Sequence, residues 1–369
     1  VPDRFYADVK SLGDFVSEVL LKLGVPEKDG RITADVLILS DRRGIESHGV
    51  ARLKRYVEGI KSGMIKPGTE INIIKETPVS MVVDGQGGLG QVVSFLTMNR
   101  LIEKARDSYM AFASIRNSNH YGIAGYYSIM AVQRDMIGIS MTNAAPLVIP
   151  THGKTAVFGT NPIAVGVPSN KETAFMLDMA TSTVPRGKLE VYGRQGKEMP
   201  VTWATDHEGI ATRDPGEVLK NLLERKGGGL LPLGGCDEDT GGHKGFGLGM
   251  VVEILCSVLS GGSFGLDVYR EKGKPSGVCH FLGVINPEAF AGTQSIKENT
   301  ARFIDMCHNS PKARGKDYIY YPGEKEYKYS VRYKDHVPLD NAVFKALEGI
   351  SSEFGVEMFR YGPFNEGKE

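Results

Sequence analysis

The stretch Gly85-Gln86-Gly87-Gly88-Leu89-Gly90 decides between two kinds of α/β architecture. It has the G-x-G-x-x-G form. It follows residues 79–83, which read as a strand, and precedes residues 92–105, which read as a helix. In a doubly wound sheet that turn holds a dinucleotide pyrophosphate against the helix N-terminus. Such a sheet also wants a carboxylate at the end of the next strand, about twenty residues on. The next strand, 110–115, runs into Arg116-Asn117, and Asp107 lies before it, on the wrong side. The glycine run therefore reads as a turn and a tight helix start, and the fold as something other than a Rossmann sheet.

Working outward, helices separate the early strands, while later strands follow one another directly. After 110–115 come a helix at 126–134, a strand at 137–142, and strands at 156–167 and 174–179 joined by Pro168-Ser169-Asn170. That succession favours an α/β fold with a mixed sheet, three layers deep as α/β/α. Towards the N-terminus, Leu12, Phe15, Val16, Val19, Leu20 and Leu23 recur at helical spacing up to Gly24. A second helix fits 29–42. A third is expected from about Ser47, with Leu53, Tyr56, Val57 and Ile60 on its apolar face and Gly63 at its end. Towards the C-terminus, 217–223 reads as a short helix and 227–242 as a glycine-rich loop with the acidic insert Cys236-Asp237-Glu238-Asp239. Lys244-Gly245-Phe246-Gly247 opens an apolar helix to about 259. A strand at 278–285, a helix at 293–308, a strand at 318–321 and a helix at 341–354 complete the chain. The expected division is a helical N-terminal unit, 1–75, with 292–369 packing back on it, and a central domain, 76–291.

Lys+Arg and Asp+Glu both number 44 in 369 residues, so the formal net charge is zero. A partner held by global charge, whether nucleic acid or membrane surface, is not expected. The longest apolar segment, 246–259, is interrupted by Glu253 and is too short to span a bilayer. Cys236, Cys256, Cys279 and Cys307 form no C-x-x-C pair and fit no zinc spacing. They read as reduced thiols of a cytoplasmic protein, with no metal site.

The chemistry concentrates on two turns. Asn119-His120-Tyr121-Gly122 lies between the strand at 110–115 and the following helix, where α/β proteins place reactive groups. His120 is the one group there suited to proton transfer near neutral pH. Ser47-His48-Gly49 is the second turn. Ser47 reads as the N-cap of the third helix, and His48 and Arg52, four apart, fall on one face of its first turns. Oxidising a 2-hydroxy acid needs a base for the hydroxyl proton and a cation for the carboxylate, and this set supplies both. A solvated helix start and an interior histidine remain the plain alternatives. Asp178, at a strand end, could orient a histidine or bind a ribose hydroxyl. Arg186 and Lys188 could hold a 2′-phosphate or simply be solvated.

At these residues the chain resembles the malate/L-lactate dehydrogenase family that also holds sulfolactate dehydrogenase, ureidoglycolate dehydrogenase and piperideine-carboxylate reductase. The matching pieces run in order over nearly the whole length. They are Glu46-Ser47-His48-Gly49 with Arg52, Asp84-Gly85 through Gly90-Gln91, Asn119-His120-Tyr121-Gly122 and Phe158-Gly159-Thr160-Asn161-Pro162. Asp178-Met179-Ala180-Thr181, Leu231-Pro232-Leu233-Gly234-Gly235, Lys244-Gly245-Phe246-Gly247 and Tyr321-Pro322-Gly323-Glu324 follow. The resemblance implies a homodimeric oxidoreductase with NAD or NADP bound on a non-Rossmann mixed sheet. It implies His120 as acid/base with His48 second, and Ser47 and Arg52 on the substrate. It implies a nicotinamide-nucleotide site at Ala144, Asp178, Met179, Ala180, Lys244, Gly245, Gly323, Glu324 and Lys325. Ala144 departs from relatives that carry Ser, and 236–241 looks like an insertion before Lys244. The substrates expected are small 2-hydroxy and 2-keto acids, malate/oxaloacetate or L-lactate/pyruvate. Ureidoglycolate or a cyclic imine is the alternative, and a nucleotide-binding protein without catalysis is the reading from a different class.

Overall fold

The computed structural model describes residues 4–270 and 274–362. The strands are β1 (Arg4–Asp8), β2 (Asn72–Glu76), β3 (Ser80–Asp84), β4 (Met110–Ser118), β5 (Ile137–Thr142), β6 (Ile163–Val167), β7 (Phe175–Met179), β8 (Ala204–Thr205), β9 (Gly229–Leu230), β10 (Val278–Ile285), β11 (His336–Asp340) and β12 (Tyr361–Gly362). The helices are α1 (Val9–Lys22), α2 (Glu27–Arg42), α3 (Leu53–Lys61), α4 (Gly90–Ser108), α5 (Gly125–Val132), α6 (Arg186–Arg194), α7 (Pro215–Glu224), α8 (Gly242–Glu253), α9 (Thr293–Asn309), α10 (Glu324–Arg332) and α11 (Asn341–Phe354).

The central sheet has seven strands in the order β2-β3-β4-β10-β5-β6-β7. Only β3 and β4 pair in parallel; the other pairs are antiparallel, so the sheet is mixed as expected. Strand β10 is buried along nearly its whole length because layers cover both its faces. Helices α4 and α5 pack on one face, and α8 with the π-helical turn Ile254–Val258 on the other. Strands β3 and β5 alternate instead, one side buried and the other less so.

Three further findings differ from the periodicity. The N-terminal unit is not purely helical: β1 pairs with β11 (Arg4 opposite Asp340) and with β12, forming a small three-stranded sheet. That sheet joins the chain's two ends into one core with α1, α2 and α11, as far as residue 362; residues 363–369 lie outside the described residues. Residues 318–321 form no strand; the aromatic run is an extended turn whose Tyr321 hydroxyl donates to the Thr173 carbonyl at 3.1 Å. The strand expected at 156–167 begins only at Ile163, because Asn161 takes a positive φ of 36° and Phe158 bridges to Val148. Val148, Phe158, Leu189, Val218 and Leu230 form a separate small core that carries α6 and α7 beside the sheet.

Candidate active site

The glycine run is occupied by protein. The N–H groups of Gly85 and Gly87 donate to the Arg116 and Asn117 carbonyls at 2.9 and 2.7 Å. Those of Gln86, Gly88 and Leu89 go to Asp84 Oδ1, the Gly85 carbonyl and Thr69 Oγ1. No row of free amides is left for a pyrophosphate. A Cβ on Gly90 would lie 2.1 Å from the Asn119 carbonyl oxygen and 2.7 Å from that of His120. The run therefore exists to let the His120 turn dock on the start of α4.

That turn is held on three sides. The buried Asn119 side chain donates to the Gly87 and Gly88 carbonyls at 3.0 and 2.9 Å. Tyr121 stacks on His280 with centroids 4.5 Å apart and reaches Ser140 Oγ at 3.0 Å. Gly122, at φ 83°, lies so close to Val36 of α2 that any side chain there would clash. His280 is itself buried. Thr142 spends its hydroxyl proton on a carbonyl, so His280 Nδ1 donates to Thr142 and Nε2 accepts from Ser118, both at 2.8 Å. Burial lowers His280 to about 3, so it stays neutral behind the site.

The other turn is built differently. Ser47 does not cap the third helix. Residues Glu46–His48 and Val50–Arg52 form two 3-10 turns, and α3 starts at Leu53. The interruption comes at Gly49, where a Cβ would fall 1.8 Å from the Asp41 carboxylate, and that buried carboxylate takes the Val50 N–H at 2.8 Å. Ser47 Oγ instead meets His48 Nδ1 at 2.8 Å, and Arg52 Nε donates to the Ser47 carbonyl at 2.6 Å.

The two turns converge. The His48 and His120 rings lie 5.5 Å apart, 23° from parallel. With Ser47, Arg52, Arg55, Thr142, Ala144, Arg186 and Tyr269 they line one cavity of about 580 Å³. Burial, then Arg52 and Arg55, lowers His48 to about 4. Burial, then Arg55, His48 and Arg52, pushes His120 well below the ordinary histidine range. Both imidazoles are thus neutral and able to accept a proton. A similar hollow of about 570 Å³ between α1, α2, α4 and α5 holds no histidine.

Tyr56 is the residue that spacing misled on. It sits on the buried face of α3, yet its hydroxyl meets His120 Nδ1 at 2.7 Å. Its position four residues after Arg52 was the available signal. Gln91 lies fully buried beside Tyr56, within reach of its hydroxyl, and among the described residues its two amide atoms find no other hydrogen-bond partner. Arg55, three residues after Arg52, likewise lines the cavity.

Of the residues implied for a nucleotide, Asp178 and Met179 lie on β7, the edge strand of the central sheet, and Ala180 follows it. Gly323 packs on Met176 at its start, and Met176 N–H donates to the Pro322 carbonyl at 3.0 Å. Asp178 accepts from the Gly125 N–H at 2.8 Å and orients no histidine. Solvent reaches its side chain, but protein surrounds the carboxyl closely enough to raise it to about 6. Past Met179 and Ala180, Thr181 bonds Thr160 of the cavity wall and Leu233, against which Gly245 packs. Lys244 and Lys325 stand in the first turns of α8 and α10. Both helices follow a positive-φ glycine, Gly241 and Gly323, and lack a capping side chain. A lysine beside an uncapped helix start suits a phosphate, and α8 with no acidic residue in its first turn fits one better than α10, whose first turn carries Glu324 and Glu326 and whose Lys325 lies 4.6 Å over the Tyr320 ring. Glu324 does not offer its side chain: the carboxylate is buried and accepts from Tyr318 at 2.7 Å and Lys328 at 2.6 Å. Arg186 lines the histidine cavity paired with Glu190, and Lys188 lies over Trp203. Among the described residues no three His, Cys, Asp or Glu side chains are grouped to hold a metal, and no helix is long and apolar enough to cross a membrane.

A mixed, non-Rossmann sheet that brings two histidines and a guanidinium to one cavity accords with an oxidoreductase of the hydroxy acid class, which the relatives show. Residues 7–348 match the family model described as malate/L-lactate dehydrogenase, and the chain belongs to that family. It is 47% identical to the malate dehydrogenase of Pyrococcus horikoshii over 94% of each chain. It is 38% identical to the L-sulfolactate dehydrogenase of Methanocaldococcus jannaschii, over 94% of this chain and 96% of that one. The malate dehydrogenase structure from Entamoeba histolytica superposes with a TM-score of 0.93 at 38% identity, covering 96% of this chain and 99% of that one. Dehydrogenases of this family use a nicotinamide cofactor.

Proposed function

We propose that the protein interconverts small 2-hydroxy acids and 2-keto acids with NAD or NADP, malate/oxaloacetate or L-lactate/pyruvate. The observation that carries this is the 5.5 Å approach of the His48 and His120 rings in a cavity that also holds Arg52. When bound, the nicotinamide supplies the hydride acceptor or donor, which no side chain can. Arg52 holds the substrate carboxylate, helped by Ser47. His120 takes the hydroxyl proton during oxidation and returns it during reduction. For that Nδ1 carries the proton and donates to the Tyr56 oxygen, in place of the long 3.4 Å contact it accepts from the Gly122 N–H, leaving Nε2 as the base. The Tyr56 proton then turns to Gln91, whose buried amide otherwise has no partner. His48, held through Nδ1 by Ser47, borders the substrate and is second choice for the proton. Asp178, Met179, Ala180, Lys244, Gly245, Gly323 and Lys325, with the Ala144 and Glu324 backbone, hold the nucleotide along the β7 edge.

The reading includes a homodimer in the cytoplasm. Along α8 and the following π-turn, Met250, Ile254 and Val258 are 46%, 48% and 55% exposed, four residues apart on one face. A second copy covers that apolar stripe. The four cysteines are all free thiols, as a reducing compartment keeps them. The test is a panel of 2-keto acids and a cyclic imine assayed with NADH and with NADPH, and of ureidoglycolate assayed with NAD and with NADP. Turnover of oxaloacetate or pyruvate supports the reading. Cofactor binding with no turnover of any substrate favours a non-catalytic nucleotide binder, and turnover confined to ureidoglycolate or a cyclic imine favours that substrate class.

A further inference from the structure

The cavity carries more positive charge than one carboxylate needs. Three arginines line it: Arg52, Arg55 and Arg186. Arg186 donates to Glu190 at 3.0 Å, and the cavity's other carboxylate, Glu58, faces Lys54 at 3.8 Å. Arg52 and Arg55 are held otherwise. Arg52 Nε donates to a backbone carbonyl, and Arg55 Nη2 donates to the Tyr269 hydroxyl at 2.5 Å, with its guanidinium 5.3 Å from that ring's centroid. Among the described residues neither is in an ion pair. They stand three apart at the start of α3, so they share a face, their Cβ atoms roughly 5–6 Å apart. Two like charges that close repel each other while the cavity is empty, and each lowers the proton affinity of the nearby histidines. A ligand with one anionic group compensates one of the two guanidiniums. A ligand with two compensates both.

Resting on the hydroxy acid reading above, we propose that Arg55, oriented by Tyr269, binds a second acidic group of the substrate and makes the enzyme selective for doubly anionic 2-hydroxy and 2-keto acids. Arg52 takes the carboxylate next to the reacting carbon, and Arg55 takes the carboxylate or sulfonate at the far end. A monoanionic acid such as lactate leaves Arg55 uncompensated in a half-closed cavity. Selectivity then arises as it does wherever a built polar group is left without its partner. Tyr269 fixes the guanidinium plane, so the fork presents its remaining N–H groups in one orientation.

The experiment measures kcat/KM for oxaloacetate, 3-sulfopyruvate and pyruvate with the preferred reduced cofactor, in the parent and in Arg55→Met, Arg55→Lys, Tyr269→Phe and His120→Gln. The parent is expected to favour a dianion over pyruvate, and the carboxylate and sulfonate arms tell which second group it takes. In Arg55→Met the dianion-to-pyruvate ratio falls about tenfold to a hundredfold, the worth of one charge-assisted contact. Tyr269→Phe lowers the ratio less, and Arg55→Lys lies between because it keeps the charge without the fork. Arg55→Lys also preserves the test should the methionine variant fail to fold. Equal losses on all three substrates, or an unchanged ratio, overturn the proposal. His120→Gln separates this outcome from failure of the underlying reading: it loses turnover with every substrate if that reading holds, whatever Arg55 does.

Discussion

The turn carrying His120 and the turn carrying His48 present similar rings to one cavity but are anchored in opposite ways. The His120 turn is fixed from afar. Asn119 is tied to the glycine run about thirty residues earlier in the chain, Tyr121 is stacked on His280, and the ring nitrogen is braced by Tyr56. The His48 turn is fixed mostly from within, its ring braced by its own neighbour Ser47, with Asp41 shaping the backbone. A ring held by a buried hydroxyl on another element keeps its tautomer and position through a catalytic cycle better than one held by an adjacent serine. On that difference rests the proposal that His120 transfers the proton and His48 borders the substrate.

The largest effect expected follows directly. His120→Ala lowers kcat by about 10³-fold, within the range for removing a general acid or base, while reduced-nicotinamide binding stays near the parent value. His48→Ala acts mainly on KM. Steady-state kinetics with fluorescence titration of the cofactor check both, and reversed magnitudes would exchange the two roles. Next is Gly90→Ala, which places a methyl against the Asn119 and His120 carbonyls and displaces that turn without touching the His48 turn. A displacement of about 1 Å lowers turnover by about 10²-fold, and overpacking lowers stability by about 1–3 kcal/mol. Kinetics and urea unfolding measure the two losses. Smaller again, Tyr56→Phe lowers kcat by about tenfold, consistent with one lost hydrogen bond, whereas Ser47→Ala has a smaller effect that appears in KM. Equal effects of the two hydroxyl deletions would erase the contrast between the turns.

The mildest effect concerns pH and stability. His280 is buried neutral, lowered to about 3 from an unfolded value of about 6.5. Below the unfolded value the unfolded chain binds a proton that the folded chain refuses. Stability is therefore full above about pH 6.5 and falls as pH drops towards 3, by about 1.4 kcal/mol per pH unit for this one group. Denaturant unfolding between pH 7 and pH 4.5 should show a steeper slope, to which the lowered His48 and His120 also contribute, and His280→Gln should remove about that much of it.

Much of the architecture was readable because its signals are local. The elements at 92–105, 110–115, 137–142 and 278–285 fall inside α4, β4, β5 and β10. Rejecting the glycine run as a dinucleotide fingerprint rested on a missing carboxylate; the physical reason is that its amides are spent on Arg116, Asn117, Asp84, Gly85 and Thr69. What stayed hidden depends on distant partners. Strand β1 is five residues long and pairs with residues more than three hundred positions away, which no periodicity reveals. Tyr56 has the spacing of a core residue and is one, but its hydroxyl end belongs to the site. Ser47 carries a capping residue's chemistry, yet Gly49 and the buried Asp41 delay the helix past it. Arg52, His48 and His120 were legible as a set because their residue types suit one reaction; Arg55 lacked a sequence partner to mark it.

The most direct test of the central claim is a crystal structure of the enzyme with reduced nicotinamide and the hydroxy diacid tartronate. The account predicts one tartronate carboxylate on Arg52 and the hydroxyl within about 3.2 Å of His120 Nε2, with His48 alongside. A hydroxyl on His48, or a ligand bound away from this cavity, would contradict it.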